Sequence, residues 1–531
     1  MPSSPSIAEL KEALSTPDAY PHDPERIDFK QTHISLIALA PPRVYKIKKP
    51  VSLAYLDFST LERRRHVCEE EVRLNRRLAP NTYEGVVPIV QTDDGLRVDG
   101  DPDAGPVVEV AVRMKHMNPD QFLEAKLARG DADASDIDRV VRTLCAFYES
   151  RPSTPEVAEA GRIGRLRAVT EENFQEAEGH IGTLLSRPAH EALRFYADRF
   201  YDQHAALLHR RRAGGFIVEG HGDLRLEHVH LTDERVAIFD CIEFNEEFRH
   251  LDVSNDVAFL AMDLDRKGHP DLSRRFVDRM ADGLDDPGLK TLMPFYKSQR
   301  AQVRGKVHGL RAADAEVPPG ERARSRSRAR HYYQFALRYA VAGDEPLVVV
   351  VMGRPGTGKS TQAEAVARSL GWPHLASDRI RKMHADVPLH ARADAETRER
   401  LYASPTTQVT YATLRTRAVE RARQKKGTVL DATFSRYSQR EQLRSTLRAA
   451  DVPYVFVEVT APDDILKKRL RERSADTATA SDARARDFEM LTERYEAPDA
   501  LEDPRHVQIG TEGTPQETTL KILRTLIRLS D

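Results

Sequence analysis

The densest concentration of chemistry in this sequence is Gly353-Arg354-Pro355-Gly356-Thr357-Gly358-Lys359-Ser360, followed by Thr361. Three glycines, then a lysine and a hydroxyl, describe a backbone that wraps closely with its N–H groups turned inward. Such a loop cradles a polyphosphate, with Lys359 reaching the outer phosphates and Ser360 offering a hydroxyl to Mg²⁺. It needs a strand before it and a helix after it. Leu347 to Met352 is an unbroken apolar run suited to a buried parallel strand, and Thr361 to Leu370 has helical character. Residues 353–361 are therefore the candidate nucleotide-binding set, with ATP and Mg²⁺ as the expected cofactors.

Further reactive groups follow in order. In Ser377-Asp378-Arg379-Ile380-Arg381-Lys382, after a short strand His374 to Ala376, a spacing of three puts Asp378 and Arg381 on one face of a helix start. A carboxylate there can orient or deprotonate an acceptor hydroxyl while the arginine holds a phosphate; the plainer role is a helix N-cap. Thr428 to Phe434 is a buried strand ending at Asp431, suited to hold Mg²⁺ directly or through water. After another strand, Pro453 to Val459, a helix from Asp463 to Arg473 carries Arg469 and Arg473 on one face. Strands and helices alternate, as a parallel α/β sheet requires.

Upstream, a second pair of carboxylates stands out. Ile217 to Leu231 and Val236 to Phe244 are β segments with Asp223 and Asp240 at loop edges, suited to be base and metal ligand in phosphoryl transfer, or merely a turn cap and a strand end. Ahead of them come a hairpin (His33 to Leu39, Arg43 to Lys48), a charged helix (Leu61 to Leu78) and two strands (Val86 to Gln91, Val107 to Lys115). Helices follow, including Asp136 to Tyr148, His190 to Arg211 and Asp271 to Asp282.

His221-Gly222-Asp223 and the later Asp240 resemble the catalytic motif and metal aspartate of the aminoglycoside phosphotransferase and choline kinase superfamily. The family's asparagine falls on His228, a departure, because imidazole is a poorer Mg²⁺ ligand than an oxygen donor. Asp252 and Asp256 resemble elements that brace the family's catalytic loop. Val44-Tyr45-Lys46-Ile47-Lys48 resembles its phosphate-lysine strand and Glu71 the helix-borne partner. Lys46 and Lys48 compete for that role, and the spacing favours Lys48. The downstream set resembles small P-loop kinases such as gluconate kinase, polynucleotide 5′-kinase and zeta toxins, whose lid arginines would be Arg469 and Arg473 and whose lid exit would be Ser481-Asp482-Ala483 and Phe488 to Glu496. The resemblance implies an α+β protein-kinase-like N-terminal domain at 25–310 after a segment 1–24, a linker at 311–345, and an α/β P-loop domain with a parallel sheet at 346–531.

Composition sets the frame. At 531 residues the chain needs two or three cores. A formal net charge of -2 with 31% charged residues gives no global basic excess for nucleic acid. Arg322, Arg324, Arg326, Arg328 and Arg330 recur at every second position, read as a solvated linker face paired with acids in preference to a polynucleotide site. Cys68, Cys145 and Cys241 show no metal or disulfide spacing, and no segment is long and apolar enough for a membrane, so a soluble cytoplasmic protein is expected. The expected activity is that of a bifunctional ATP-dependent phosphotransferase with two kinase-type domains, the C-terminal one transferring the ATP γ-phosphate to a hydroxyl of a small sugar-like or sugar-acid-like metabolite. The alternatives are a P-loop kinase or nucleotide switch regulated by an N-terminal pseudokinase, and a polynucleotide end kinase.

Overall fold

The computed structural model describes residues 5–53, 56–388, 394–474, 488–499, 503 and 505–530. Contacts divide the chain into two compact units, Met1–Leu166 with His204–Tyr296, and Arg167–Gln203 with Lys297–Asp531.

The first unit is built on a six-stranded antiparallel sheet in the order Asp28–Gln31, Ser35–Ala40, Arg43–Lys48, Val107–Lys115, Tyr83–Thr92, Gly95–Val98. Alternation along Arg43–Lys48 sends Tyr45 and Ile47 to one face, where they pack with Leu36, Ile89 and the short helix Ile7–Ala13 through Leu10. Lys46 and Lys48 go to the other face, which carries the helix Leu61–Asn75. That helix starts at Thr60, whose hydroxyl accepts the Arg63 N–H at 3.3 Å, and ends three residues before the expected Leu78. Helices Ala134–Glu149, Val253–Arg266 and Pro270–Gly283 follow, with short strands Ile217–Glu219, Val229–Leu231 and Val236–Ile238 between them. The expected helix His190 to Arg211 is two, Arg187–Gln203 and Ala205–Ala213, with the division between units falling at their junction.

The second unit holds a five-stranded parallel sheet ordered His374–Ala376, Thr428–Asp431, Val348–Met352, Tyr454–Thr460, His506–Gly510. Val348, Val350, Leu430 and Phe456 pack with Leu414 and Leu443 from the helices Ser404–Arg423 and Tyr437–Ala449. The stretch expected as a linker is mostly a helix, Pro319–Ala342, packed against helices Lys359–Leu370 and Pro515–Leu529. Tyr332, Tyr333, Ala336, Leu337 and Ala340 bury its inner side at helical spacing. Arg324, Arg326 and Arg328 are exposed on it and form no ion pair among the described residues, unlike the expected pairing with acids. No helix among the described residues is long and apolar enough to cross a membrane. All three cysteines are buried free thiols.

Candidate active sites

The glycine loop leaves the C-terminal end of the central strand Val348–Met352 and enters the helix Lys359–Leu370. Gly353 has φ +144°, and a Cβ there would stand 2.4 Å from the Val459 carbonyl oxygen, so no other residue fits. Inside the loop the Thr357 hydroxyl donates to the Arg354 carbonyl at 2.9 Å. Lys359 is half-buried and forms no ion pair among the described residues, and Ser360 and Thr361 are exposed. The Arg354 guanidinium donates to Asp463 at 2.7 Å, in a pair whose arginine is half-buried and whose aspartate is exposed.

Parallel register places Asp431 beside Val351 and Ala376, at the strand ends next to the loop. Its side chain is 5% exposed, with His374 Nε2 at 3.3 Å from Oδ2. His374 escaped the sequence reading, although its place at the start of a strand parallel to Thr428–Asp431 would have pointed to it. A hydroxyl at Ser360 and a carboxylate at Asp431 are hard oxygen donors, which suit Mg²⁺. Asp378 is half-buried in the first turn of the helix Ser377–His384. It acts together with Asp431 on the buried Tyr411 hydroxyl. Burial pushes that phenol up to about 12, opposed by the Phe434 N–H and Arg381 and aided by the two carboxylates.

Two expected arginines are placed differently. Arg381 is buried, with Nη1 donating to the Leu401 carbonyl (2.8 Å) and the Thr407 hydroxyl (2.9 Å) and the guanidinium over the Tyr402 ring. Through Nη1 it braces a helix connection. Arg469 donates to Thr511 Oγ1 (2.9 Å) and to the Thr511 carbonyl (2.6 Å). The Thr511 hydroxyl in turn donates to the Thr357 carbonyl of the loop at 2.9 Å, so among the described residues Arg469 is linked to the glycine loop through Thr511. The side chain of Arg473 and the segment Ser481-Asp482-Ala483 lie outside the described residues.

In the first unit, Asp223 and Asp240 are brought to one pocket by His228. Its Nδ1 is 2.9 Å from the Asp223 carbonyl oxygen and its Nε2 is 3.4 Å from Asp240 Oδ2. The loop before Asp223 is pinned by Asp256, which accepts the N–H groups of His221 (2.6 Å) and Gly222 (3.0 Å) and the Tyr148 hydroxyl (2.9 Å). Gly222 has φ +83°, and a Cβ would sit 3.0 Å from the Phe248 carbonyl. Asp252 instead pairs with Arg211, at 2.7 Å.

The lysine preference also changes. Lys46 donates to both Glu71 (2.8 Å) and Asp240 (2.7 Å), whereas Lys48 is fully buried between Glu71 (2.5 Å) and Glu243. Lys46, not the favoured Lys48, therefore meets the metal-type aspartate. Burial would lower the Lys46 ammonium, but Asp240 and Glu71 outweigh it and hold it well above the ordinary range. Burial would raise Asp240, but the charge of Lys46 keeps it far below the usual carboxylate range. Burial pushes Glu243 up, against the pull of Lys48. Arg225, also absent from the sequence reading, donates to Asp223 through Nε (3.0 Å) and Nη2 (2.9 Å) and stands 3.1 Å from His228 Nε2.

Residues 348–498 match the AAA domain family. A Mycobacterium tuberculosis protein described only as uncharacterised is 30% identical over 477 residues, covering 88% of this chain and 90% of that protein. The same figures hold for its Mycobacterium bovis counterpart. The gluconokinase of Gluconobacter oxydans is 32% identical over 145 residues, 26% of this chain and 72% of that enzyme. Among solved structures, a gluconokinase from Sinorhizobium meliloti 1021 is 22% identical with a TM-score of 0.26, over 36% of this chain and 95% of that one. With its glycine loop and parallel sheet, the C-terminal part is a P-loop kinase domain. The chain belongs to the family of the two mycobacterial proteins and, through this domain, to that of gluconokinase.

Proposed function

We propose that the P-loop unit is an ATP-dependent kinase that phosphorylates a hydroxyl of a small metabolite of sugar or sugar-acid type. The observation that carries this is the convergence, at one end of the parallel sheet, of the Gly353–Thr361 loop with the strand-end carboxylate Asp431 and the helix-start carboxylate Asp378. The family link to gluconokinase supports the class of acceptor.

In this reading the loop and Lys359 bind the β- and γ-phosphates. Ser360 and Asp431 would hold Mg²⁺, which supplies neutralisation of phosphate charge. Asp378 orients the acceptor hydroxyl and takes its proton as the oxygen bonds to the γ-phosphorus; the bond to the β-phosphate oxygen breaks and ADP leaves. His374 holds the Asp431 carboxylate in place from the side. Arg469 acts through Thr511, steadying the loop. The buried thiols fit a reducing cytoplasm.

For the first unit we propose an aminoglycoside phosphotransferase-like fold that binds a ligand without transferring phosphate. The Lys46–Glu71 pair between sheet and helix supports the fold, and the Arg225 guanidinium on Asp223 favours binding over catalysis. A base that already accepts two donations from a fixed cation is a weaker proton acceptor.

The test is ATP consumption by the full chain against sugars, sugar acids, aminoglycosides and nucleosides, repeated with Lys359→Ala. At least a tenfold fall with the best acceptor is expected, about 1.4 kcal/mol of lost transition-state stabilisation. Unchanged turnover would reject the reading.

A further inference from the structure

The Asp223 and Asp240 pocket resembles one that holds Mg²⁺, and its own side chains argue against that. His228 stands where an oxygen ligand is expected. Its Nδ1 lies 2.9 Å from the Asp223 carbonyl oxygen, which only accepts, so Nδ1 carries the hydrogen and Nε2 the lone pair. That lone pair faces Arg225 Nη2 at 3.1 Å, a group that only donates. The nitrogen that would turn to a metal is already satisfied.

Arg225 is not free to leave. Its side chain is 13% exposed, with Nε and Nη2 on Asp223 Oδ2 and Nη1 on Glu227. The following residue is fixed as well, because the Leu226 N–H donates to Asp263 at 3.3 Å and Asp263 is held by Arg266 at 2.7 Å. A divalent ion bound at His228 would rest against this permanent charge, with little water between them.

Asp240, the other candidate ligand, gives Oδ1 to Lys46 at 2.7 Å. Its backbone is left-handed, at φ +63°, and its N–H donates to the Tyr83 hydroxyl at 3.3 Å, so its direction is set by the fold. Lys46 is in turn tied to Glu71. With Oδ1 taken by Lys46, Asp240 has only Oδ2 to offer a metal, and that oxygen lies beside His228 Nε2 at 3.4 Å.

We infer that the protein has one divalent-metal nucleotide site, in the P-loop unit, and that Lys46, Arg225 and His228 close the Asp223/Asp240 pocket to Mg²⁺. Lys46 and Arg225 supply from within the positive charge that a metal would otherwise bring. This rests on the P-loop reading only for the one site that remains.

The experiment titrates Mn²⁺ into the full chain with a non-hydrolysable ATP analogue and counts bound ions by electron paramagnetic resonance. One ion per chain is expected, weakened at least tenfold by Ser360→Ala and retained in Asp240→Asn. Two ions per chain, or one that survives Ser360→Ala and is lost in Asp240→Asn, overturns the inference. The wild-type count needs no variant to fold. A count of zero fails the P-loop reading and with it the claim of a single site. The double variant Arg225→Gly with His228→Asn, checked for an unchanged near-ultraviolet spectrum, is expected to raise the count to two. A folded double variant still at one would overturn the roles given to Arg225 and His228.

Discussion

In the P-loop unit Lys359, the cation proposed to meet phosphate, has no carboxylate partner among the described residues, and Ser360 beside it is exposed. At the Asp223 pocket every cation has one: Lys46 has Glu71 and Asp240, Lys48 has Glu71 and Glu243, and Arg225 has Asp223 and Glu227. On the proposed function a polyanion completes the first arrangement; in the second each cation is already paired. Incoming phosphate therefore gains the full interaction at Lys359, whereas at Lys46 it competes with carboxylates already 2.7 to 2.8 Å away. Paired charges in a buried pocket give a defined geometry but little net stabilisation, and they are costly to break singly.

The largest effect should come from removing the proposed base of the P-loop unit, with Asp223 as the contrast. Asp378→Asn keeps size and hydrogen bonding while removing the charge, and it should lower phosphoryl transfer by roughly two to four orders of magnitude, with ATP affinity nearly unchanged. Asp223→Asn should leave that reaction within about twofold, since it removes nothing from the P-loop site and only frees Arg225. Steady-state rates and ATP binding of both variants in the full chain make the check. Loss of all transfer in Asp223→Asn would erase the contrast, and the units could no longer be treated as chemically separate.

The contrast was only half legible in the sequence. The glycine loop could be read because its requirements are local: a strand, three glycines, a lysine and a helix in consecutive positions. Alternation likewise put Lys46 and Lys48 on one face, but choosing between them needed Asp240, which is 194 positions away. Arg381 and Arg469 lay on the expected helices. What each meets, the Leu401 carbonyl or Thr511, depends on which backbone packs against that face, and helical spacing carries no record of it. In the stretch read as a linker, arginine at every second position hid an apolar pattern at 332, 333, 336, 337 and 340 that fits a buried helix. Arg225 was in view within the motif, yet its claim on Asp223 and His228 follows from the tight 3₁₀ turn Leu226–His228, which brings residue 228 back to residue 225.

A smaller effect should separate the units by pH. His221 is fully buried; its Nε2 donates to the Phe239 carbonyl at 3.0 Å, and its Nδ1 accepts the Asp223 N–H at 3.3 Å. Protonation of Nδ1 would turn that acceptor into a donor facing a donor. Burial, opposed mainly by Asp256, brings the imidazole down to about 4. The folded value is below the unfolded one near 6.5, so the unfolded state binds more protons between them and stability rises with pH. The contribution is complete above pH 6.5 and is lost as pH falls towards 4, up to about 3 kcal/mol. Thermal melts of the full chain from pH 7 to 4 should show the first transition moving down, with the shift reduced in His221→Gln. A P-loop-dependent transition, recognised by its stabilisation with ATP, should move less. If both transitions fell together, His221 would not be the group responsible.

Within the P-loop unit, Arg469→Ala should raise KM for ATP by about fivefold to tenfold, in keeping with the loss of two hydrogen bonds worth about 1 kcal/mol each at most. Turnover at saturation should stay within about threefold. Thr511→Val should act in the same direction, keeping the bond from Arg469 to the residue-511 carbonyl, and the double variant should fall short of the sum of the two, because both act on one chain of bonds to the Thr357 carbonyl. A hundredfold loss of kcat in Arg469→Ala with a silent Thr511→Val would mean that the arginine leaves Thr511 for the transferred phosphate.

The smallest effect is expected at Arg354, which lies inside the glycine loop and so belongs to the candidate nucleotide-binding set. Its guanidinium is turned to Asp463, in a pair whose aspartate side chain is 58% exposed. An exposed pair of this kind contributes about 0 to 1 kcal/mol, and solvent competes for both partners. Arg354→Ala should therefore change KM for ATP by less than about threefold, and the change should shrink further in high salt, where screening weakens the pair being removed. Lys359→Ala, five positions away on the same loop, has no ion-pair partner among the described residues to offset its loss and should keep its larger effect at every ionic strength that allows ATP binding. If Arg354→Ala matched Lys359→Ala, the loop would be using two side-chain cations on phosphate. The distinction between a partnered and an unpartnered cation, on which the comparison of the two units rests, would then fail within the P-loop itself.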